Sequence, residues 1–486
     1  MFGTLLVKEM HETFINFRFF IAVVLCVVLI PLSMYMSGKE YEFRLQEYNE
    51  SIKLYQERVE ASGSRMGMQA EGYRPPSPLS VFAAGLEESI PNKIVTSMDQ
   101  YTISNNRGLN NPRSRIVGPF DFVFIVGTVL SMLAFMFTFG AISGEKEGGT
   151  LRLVLSNATP RHVILLAKMM GNFLMFIIPV LMGTLAGIIL LILSGVPLPL
   201  DTSTLPGIVS IIAVSGFFLL IMFILGVLVS AFTGSSVTAL IVLLLVWVVL
   251  SLVIPKTSPL IAQVISPVKS VQTLATEKQN SRDLIRQEKG SRLREVLNRM
   301  ISDQGLSPNS FNPFSESGKA VAGTYDSSPE PAAITKEYDD RLVYELASLD
   351  QSYRNELAQQ DAISAMIARL SPVSCFMNTV TEIAGTGMAE IDTMTDQAGQ
   401  FYDEMKEARY DKIRLHEYYY GEQAYASTSD PIADGDIPAL PEFTSYRHTT
   451  LSQAMQASMP DLALLGIYAI LFFALSYVSF LRYDVR

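Results

Sequence analysis

Between two long apolar runs lies the stretch Gly144-Glu145-Lys146-Glu147-Gly148-Gly149-Thr150-Leu151-Arg152, which continues to Lys168. Its residue types suit docking rather than bond chemistry. Glu145, Lys146, Glu147, Arg152 and Arg161 present charges of both signs, the material of ion pairs with a folded partner. Gly148 and Gly149 supply a permissive backbone at the point where a helix must end. Nothing in the chain supplies a reaction. There is no G-x-x-x-x-G-K-[ST], so nucleotide phosphates have no P-loop to sit in, and no H-E-x-x-H. His11, His162, His416 and His448 are scattered, and no Cys/His cluster has metal spacing. No metal and no cofactor are therefore expected on this chain, and energy has to arrive from another one.

The elements that must position this loop are apolar. The chain has 486 residues, 49% of them hydrophobic, with mean hydropathy +0.29. Six runs are close to the roughly 20 residues that cross a bilayer core as a helix: 19–36, 119–143, 169–193, 206–231, 235–254 and 461–481. Lys8 and Arg18 flank the first run, but no small-x-small cleavage site follows it, so it reads as an uncleaved span. The interiors of the runs carry no Asp, Glu, Lys, Arg or His; Asp121 and Asp461 fall at outer ends and Lys168 near an inner one. Ion-coupled carriers and intramembrane enzymes keep ionisable groups at depth, which argues against both classes.

Charge sets the orientation. Of 37 Lys and Arg residues, ten lie in insert 37–118 and nineteen in insert 255–460. The remaining eight are Lys8, Arg18, Lys146, Arg152, Arg161, Lys168, Arg482 and Arg486, and six spans put all of them on one side. The opposite short loop, around residues 194–205, has none. By the positive-inside rule both termini (1–18 and 482–486) and the loop 144–168 are cytoplasmic. Both large inserts are then extracytoplasmic. The net charge of −10 belongs to the second insert, with 29 acids against nineteen bases. A solvated surface accounts for it, and affinity for cations or basic peptides is the alternative. Cys26 lies in the first span and Cys375 in the second insert, so no disulfide is expected.

Tyr41, Leu45, Tyr48, Ile52, Tyr55 and Val59 recur at alternating spacings of four and three. That is a heptad seam on a helix continuing the first span outward, and it needs a partner. Helical patterns at 335–370 (Tyr338, Leu342, Leu349, Tyr353, Leu357, Met366) and at 391–415 (Ile391, Met394, Ala398, Phe401, Met405) are candidates. The stretches 304–331 and 426–441 read as loops. Three Ser-Pro steps, at Ser77, Ser266 and Ser371, each look like a helix start, with serine as cap and proline in the first turn. The helix after Ser371 and Pro372, with Phe376, is apolar enough to lie on the outer membrane surface as a candidate gate near a channel mouth; core packing fits it equally. Residues 1–18 form an amphipathic pattern through Phe2, Leu5, Leu6, Met10, Phe14 and Phe17, suited to the membrane interface or to plain extension of the first span. The expected fold is an all-α membrane protein: six transmembrane helices with two largely helical extracytoplasmic domains.

The loop itself reads as a helix-turn-helix elbow. Residues 150–156 form a short helix, Asn157-Ala158-Thr159 breaks it, and Thr159-Pro160 starts the helix running back into the membrane. This stretch, from Gly144 through Ser156 to Arg161 and Lys168, resembles the first cytoplasmic loop of ABC-2 type transporter permeases. The branch is similar to the multi-copper enzyme maturation, gliding-motility and sodium-export permeases with a large second insert. Arg74-Pro75-Pro76-Ser77-Pro78-Leu79-Ser80-Val81-Phe82, Leu370-Ser371-Pro372 with Ala384-Gly385-Thr386-Gly387, and Phe480-Leu481-Arg482-Tyr483-Asp484-Val485-Arg486 resemble motifs of the same branch.

The resemblance implies a permease half in a bacterial inner membrane, paired with a second half, identical or paralogous. Two copies of a separate ATPase, binding ATP and Mg, would dock below. It makes the elbow the coupling helix, with Glu145, Glu147, Arg152 and Arg161 as polar contacts. The large second insert departs from the family's short hairpin and leaves two functions open. One is export of a substrate driven by the ATPase. The other is transmission of ATP-driven motion to an extracytoplasmic partner, with no substrate crossing. Lipid is an expected partner and nucleic acid is not.

Overall fold

In hydrocarbon every backbone N–H and C=O must bond within its own segment, so the apolar runs fold as helices. The computed structural model describes residues 2–61, 70–96, 101–105, 120–151, 160–197, 204–305, 321, 325, 328–420, 443 and 446–482, without the side chains of 59–61 and 406–420. Arg152, the side chain of Val59, the helix expected after Thr150, loop 426–441 and most of 304–331 lie outside that description.

The helices are α1 (Phe2–Ile15), α2 (Phe17–Ala61), α3 (Phe122–Glu147), α4 (Arg161–Leu193), α5 (Leu205–Phe232), α6 (Ser236–Ile265), α7 (Val271–Asp303), α8 (Pro329–Ala368), α9 (Pro372–Ile383), α10 (Met388–Tyr420), α11 (Leu451–Ala457) and α12 (Met459–Leu481). Among the described residues, α2 through α6 and α12 are the six long and apolar enough to cross a membrane. The chain is an all-α membrane protein, as expected. α6 runs on past Pro255 and Pro259 to Ile265, beyond the end expected from the apolar run.

Two units separate, one of Met1–Pro255 with Ala368–Arg486 and one of Lys256–Ile367. In the first, α5 packs against α3, α9 and α12, and α4 lies along both α1 and α2. Gly183 and Gly187 let α4 approach the Cys26 carbonyl and Met34 of α2, where any Cβ would collide. α6 is the barest span, buried over only 11% of its most apolar window, which leaves most of its surface to lipid or to another chain. α3 holds a π-helical turn, Ile125–Leu130, and breaks at 139–142 before its last helical piece, Ser143–Glu147.

The first insert corrects one expectation. It carries an antiparallel sheet of β1 (Ala70–Tyr73), β2 (Lys93–Thr96) and β3 (Tyr101–Ser104), in that order, with Gly72 opposite Ile94 and Ile94 opposite Ile103. Its β-branched and aromatic residues suit a half-buried pleat. Ala70 and Ile94 form one core with Met394, Ala398, Phe401 and Met405 of α10. The apolar stripe read on α10 therefore packs on the sheet of the other insert. The seam of α2 finds its partner in β1 and the turn Pro78–Val81 rather than in a helix. Tyr41 is buried there, and Leu45, Tyr48, Ile52 and Tyr55 are half-buried.

The three Ser-Pro steps also part company. Ser371 caps α9, accepting from Val373 N at 3.1 Å. Ser77 precedes a 3-10 turn without capping it, and its Oγ donates instead to Ala384 O at 2.6 Å. Ser266 follows the end of α6, and the next helix is capped by Ser270.

The second unit is a helical hairpin. Ion pairs Lys278–Asp350, Lys289–Asp339 and Arg299–Glu330 join α7 to α8. Rising numbers meet falling ones, so the helices are antiparallel. Leu274, Ile285 and Val296, eleven residues apart, are the buried knobs of α7. That repeat stays nearly in phase with 3.6 residues per turn and keeps the hairpin almost straight. Met366, expected on the seam of α8, is 67% exposed.

Candidate functional site

The elbow begins where α3 breaks. Ser230 of α5 seals that break: its Oγ accepts from Ile142 N at 3.1 Å and Ser143 N at 3.0 Å and donates to Phe139 O at 2.9 Å. One turn of helix follows, Ser143–Glu147, then Gly148, and Gly149 at φ 71°, a conformation that favours glycine. Each charged residue of this turn reaches a different helix. Lys146 Nζ donates to the carbonyls of Ala231 and Thr233, the unpaired C-terminal end of α5. Glu147 Oε2 accepts from Ser236 N at 3.1 Å, at the N-terminus of α6 where a carboxylate is favoured. Glu145 Oε1 accepts from Lys168 Nζ of α4 at 2.7 Å, and Lys168 also holds Glu9 of α1 at 2.8 Å. On the return side Arg161 Nη1 donates to Leu481 O, at the C-terminal end of α12, at 2.7 Å.

The elbow residues read from sequence are thus brought together, with Arg152 outside the described region. They are also all engaged within the chain. Glu147, Gly148, Gly149 and Thr150 remain exposed, while Leu151 is fully buried. Among the described residues the exposed part of the elbow is this four-residue tip, and the charges beneath it tie the tip to α1, α4, α5 and α6.

A family model described as ABC-2 family transporter protein matches residues 4–485. The chain belongs to the ABC-2 family of transporter proteins. Among curated proteins, none matches it. As an ABC-2 permease it is a multi-pass transporter component of the membrane.

In this permease α9 packs against α5 and α12. Phe376 stacks on Phe218 of α5 with ring centroids 4.3 Å apart and planes 13° apart. Ser371 Oγ donates to Leu250 O at 2.6 Å, a carbonyl in the π-helical turn Val249–Val253 of α6. Pro372 and Phe376 are buried. Of the two places left open for this helix, the structure puts it in the core, wedged against α5 and α12. Arg369 holds Asp461 at the start of α12 at 3.1 Å.

Sequence reading missed a polar hub joining the inserts. The fully buried Arg74 pairs with Glu87 at 2.7 Å and Glu390 at 3.4 Å. Glu390 also accepts from Tyr446 at 2.8 Å and from Thr449, and His448 Nδ1 lies 2.7 Å away. Burial alone would raise the Glu390 carboxyl, yet the hydrogen bonds from His448 and Thr449 hold it at about 2. Asp121 caps α3 and accepts from Ala84 N at 2.8 Å, tying the first insert to the span. No spacing rule links positions 74 and 390; a fold is needed to see them. Glu9 did leave a signal, since it sits in register with Leu5, Leu6 and Thr13 on the stripe of α1 that faces inward.

Proposed function

We propose that this permease is the membrane subunit of an exporter driven by a separate ATPase. The elbow is its coupling element. The observation that carries the reading is the wiring beneath the tip: Glu145, Lys146 and Glu147 each bond a different helix, so a push on the tip is delivered to α4, α5 and α6 together. With no P-loop in the sequence, two ATPase copies carry the ATP and Mg. α6 and α12 leave wide apolar surface for a second permease subunit, identical or paralogous, and for lipid. The membrane is the bacterial cytoplasmic one, with both termini inside.

A test must respect the wiring. Reversal of Glu147 would also disturb the start of α6, so the informative change is at Arg152. Arg152→Glu should reduce copurification of the ATPase by tenfold or more, with membrane insertion unchanged. Undiminished copurification would remove the elbow from the docking surface.

A second reading is favoured by one feature. α2 is a single helix of 45 residues that starts at the cytoplasmic end of the first span and finishes against the outer sheet. Motion received inside can pass along it to an extracytoplasmic partner with nothing crossing the membrane. A structure of the ATP-bound complex separates the readings: a continuous path between two permease halves supports export, and closed spans with a displaced outer domain support transmission.

A further inference from the structure

Glu9 and Lys168 take no part in docking, yet they carry one of the most enclosed ion clusters of the membrane unit. Glu9 comes from α1, Lys168 from α4 and Glu145 from the elbow. The Glu9 and Lys168 side chains are 9% and 7% exposed, and Glu145 is 21% exposed. α1 is built to lie close. A Cβ at Gly171 would stand 2.9 Å from Glu9 Cβ and 3.2 Å from Leu6 O, so only glycine admits the approach. One turn on, Thr13 Oγ1 bonds Asn172 Oδ1.

We infer that Glu9 and Lys168 are positioning residues for the elbow, so that α1 sets where the coupling turn sits. The coupling role itself rests on the function proposed above. The charge count gives the cluster a direction. Among the described residues one ammonium faces two carboxylates, and Glu145 Oε2 is buried with no hydrogen-bond partner there. A buried carboxylate oxygen left unpaired is unfavourable, and a net negative charge adds to it. If the elbow swings out, Glu145 takes the excess charge to water, and a neutral Lys168–Glu9 pair stays behind. If α1 left instead, Glu145 would keep its unpaired oxygen. The α1–α4 contact is therefore the lasting one, and the contact from α4 to the elbow is the one that opens. α1 acts as the fixed seat against which the elbow returns.

The test is hydrogen exchange on the full chain in lipid nanodiscs, followed in peptides covering α1, residues 143–151 and α4. Glu9→Gln removes the excess negative charge and leaves Lys168 to Glu145 alone, so exchange in α1 should rise and exchange in 143–151 should fall, by roughly tenfold as for one charge-assisted bond. Glu145→Gln should free 143–151 and leave α1 at its wild-type rate. Lys168→Met removes the partner that Glu9 and Glu145 share and should raise exchange in both α1 and 143–151. Phe14→Ala, on the exposed face of α1, should change nothing there. Unchanged exchange at 143–151 in Glu9→Gln overturns the inference. So does an equal rise across α1, α4 and the elbow in Glu9→Gln, since that marks general loosening. Copurification of the ATPase is measured on the same variants. A looser elbow with full association would sink the coupling role and leave the positioning role standing.

Discussion

Two buried arginines on neighbouring elements have opposite prospects. Arg74 is matched by Glu87 and Glu390, whereas the Nη1 and Nη2 atoms of Arg44 are buried without a hydrogen-bond partner among the described residues, with the Glu40 carboxylate 3.7 Å away. Replacing a poorly paired buried charge by an apolar side chain of similar length is often neutral or stabilising. Arg44→Met should leave the thermal midpoint unchanged or raise it, and a fall of several degrees would contradict this. Glu390 behaves the other way. Its carboxyl is held at about 2 when folded, so its contribution is complete above the ordinary carboxylate range near 4.5 and fades as pH falls toward 2. Glu390→Gln should lose on the order of 3 kcal/mol at pH 7 and much less at pH 3. Unfolding curves at the two pH values check it.

Short connecting elements set the geometry of the site. Gly149 sits at φ 71° with open space around it, so strain and not collision governs substitution. Gly149→Val should cost about 1–2 kcal/mol, confined to the elbow. Local exchange in 143–151 would report it. In α9 the largest aromatic contact is the stacked pair Phe376 on Phe218. Phe376→Ala should destabilise by about 3 kcal/mol, as other emptied aromatic sites do. A smaller loss would mean that α9 lies loosely against α5. The seam of α2 was legible because its residues repeat at three and four. Its partner was not, because β1 and the Pro78–Val81 turn carry no heptad to match.

The hairpin α7–α8 is a unit of its own, held by surface ion pairs worth about 1 kcal/mol or less each and by a thin apolar line. Gln360 Nε2 donates to Ser266 O at 2.7 Å, so the base of the hairpin is closed. Replacing residues 267–359 by a short Gly-Ser linker should leave the rest inserted and folded. Wild-type exchange at the elbow would confirm it, and aggregation of the shortened chain would show that the hairpin is needed to fold the remainder.

The six spans and the charged turn that follows the second of them were readable from the residue order alone. Each depends on local composition or on counting, and the bilayer imposes both on a chain directly. What each elbow charge bonds, the seat that α1 makes for it, the sheet beneath α10 and the hub around Arg74 were decided only by the tertiary structure. Glu9 and Lys168 are 159 residues apart and Arg74 and Glu390 are 316 apart. Such pairs form because buried charges must find partners wherever packing brings them, and no local pattern records where that is.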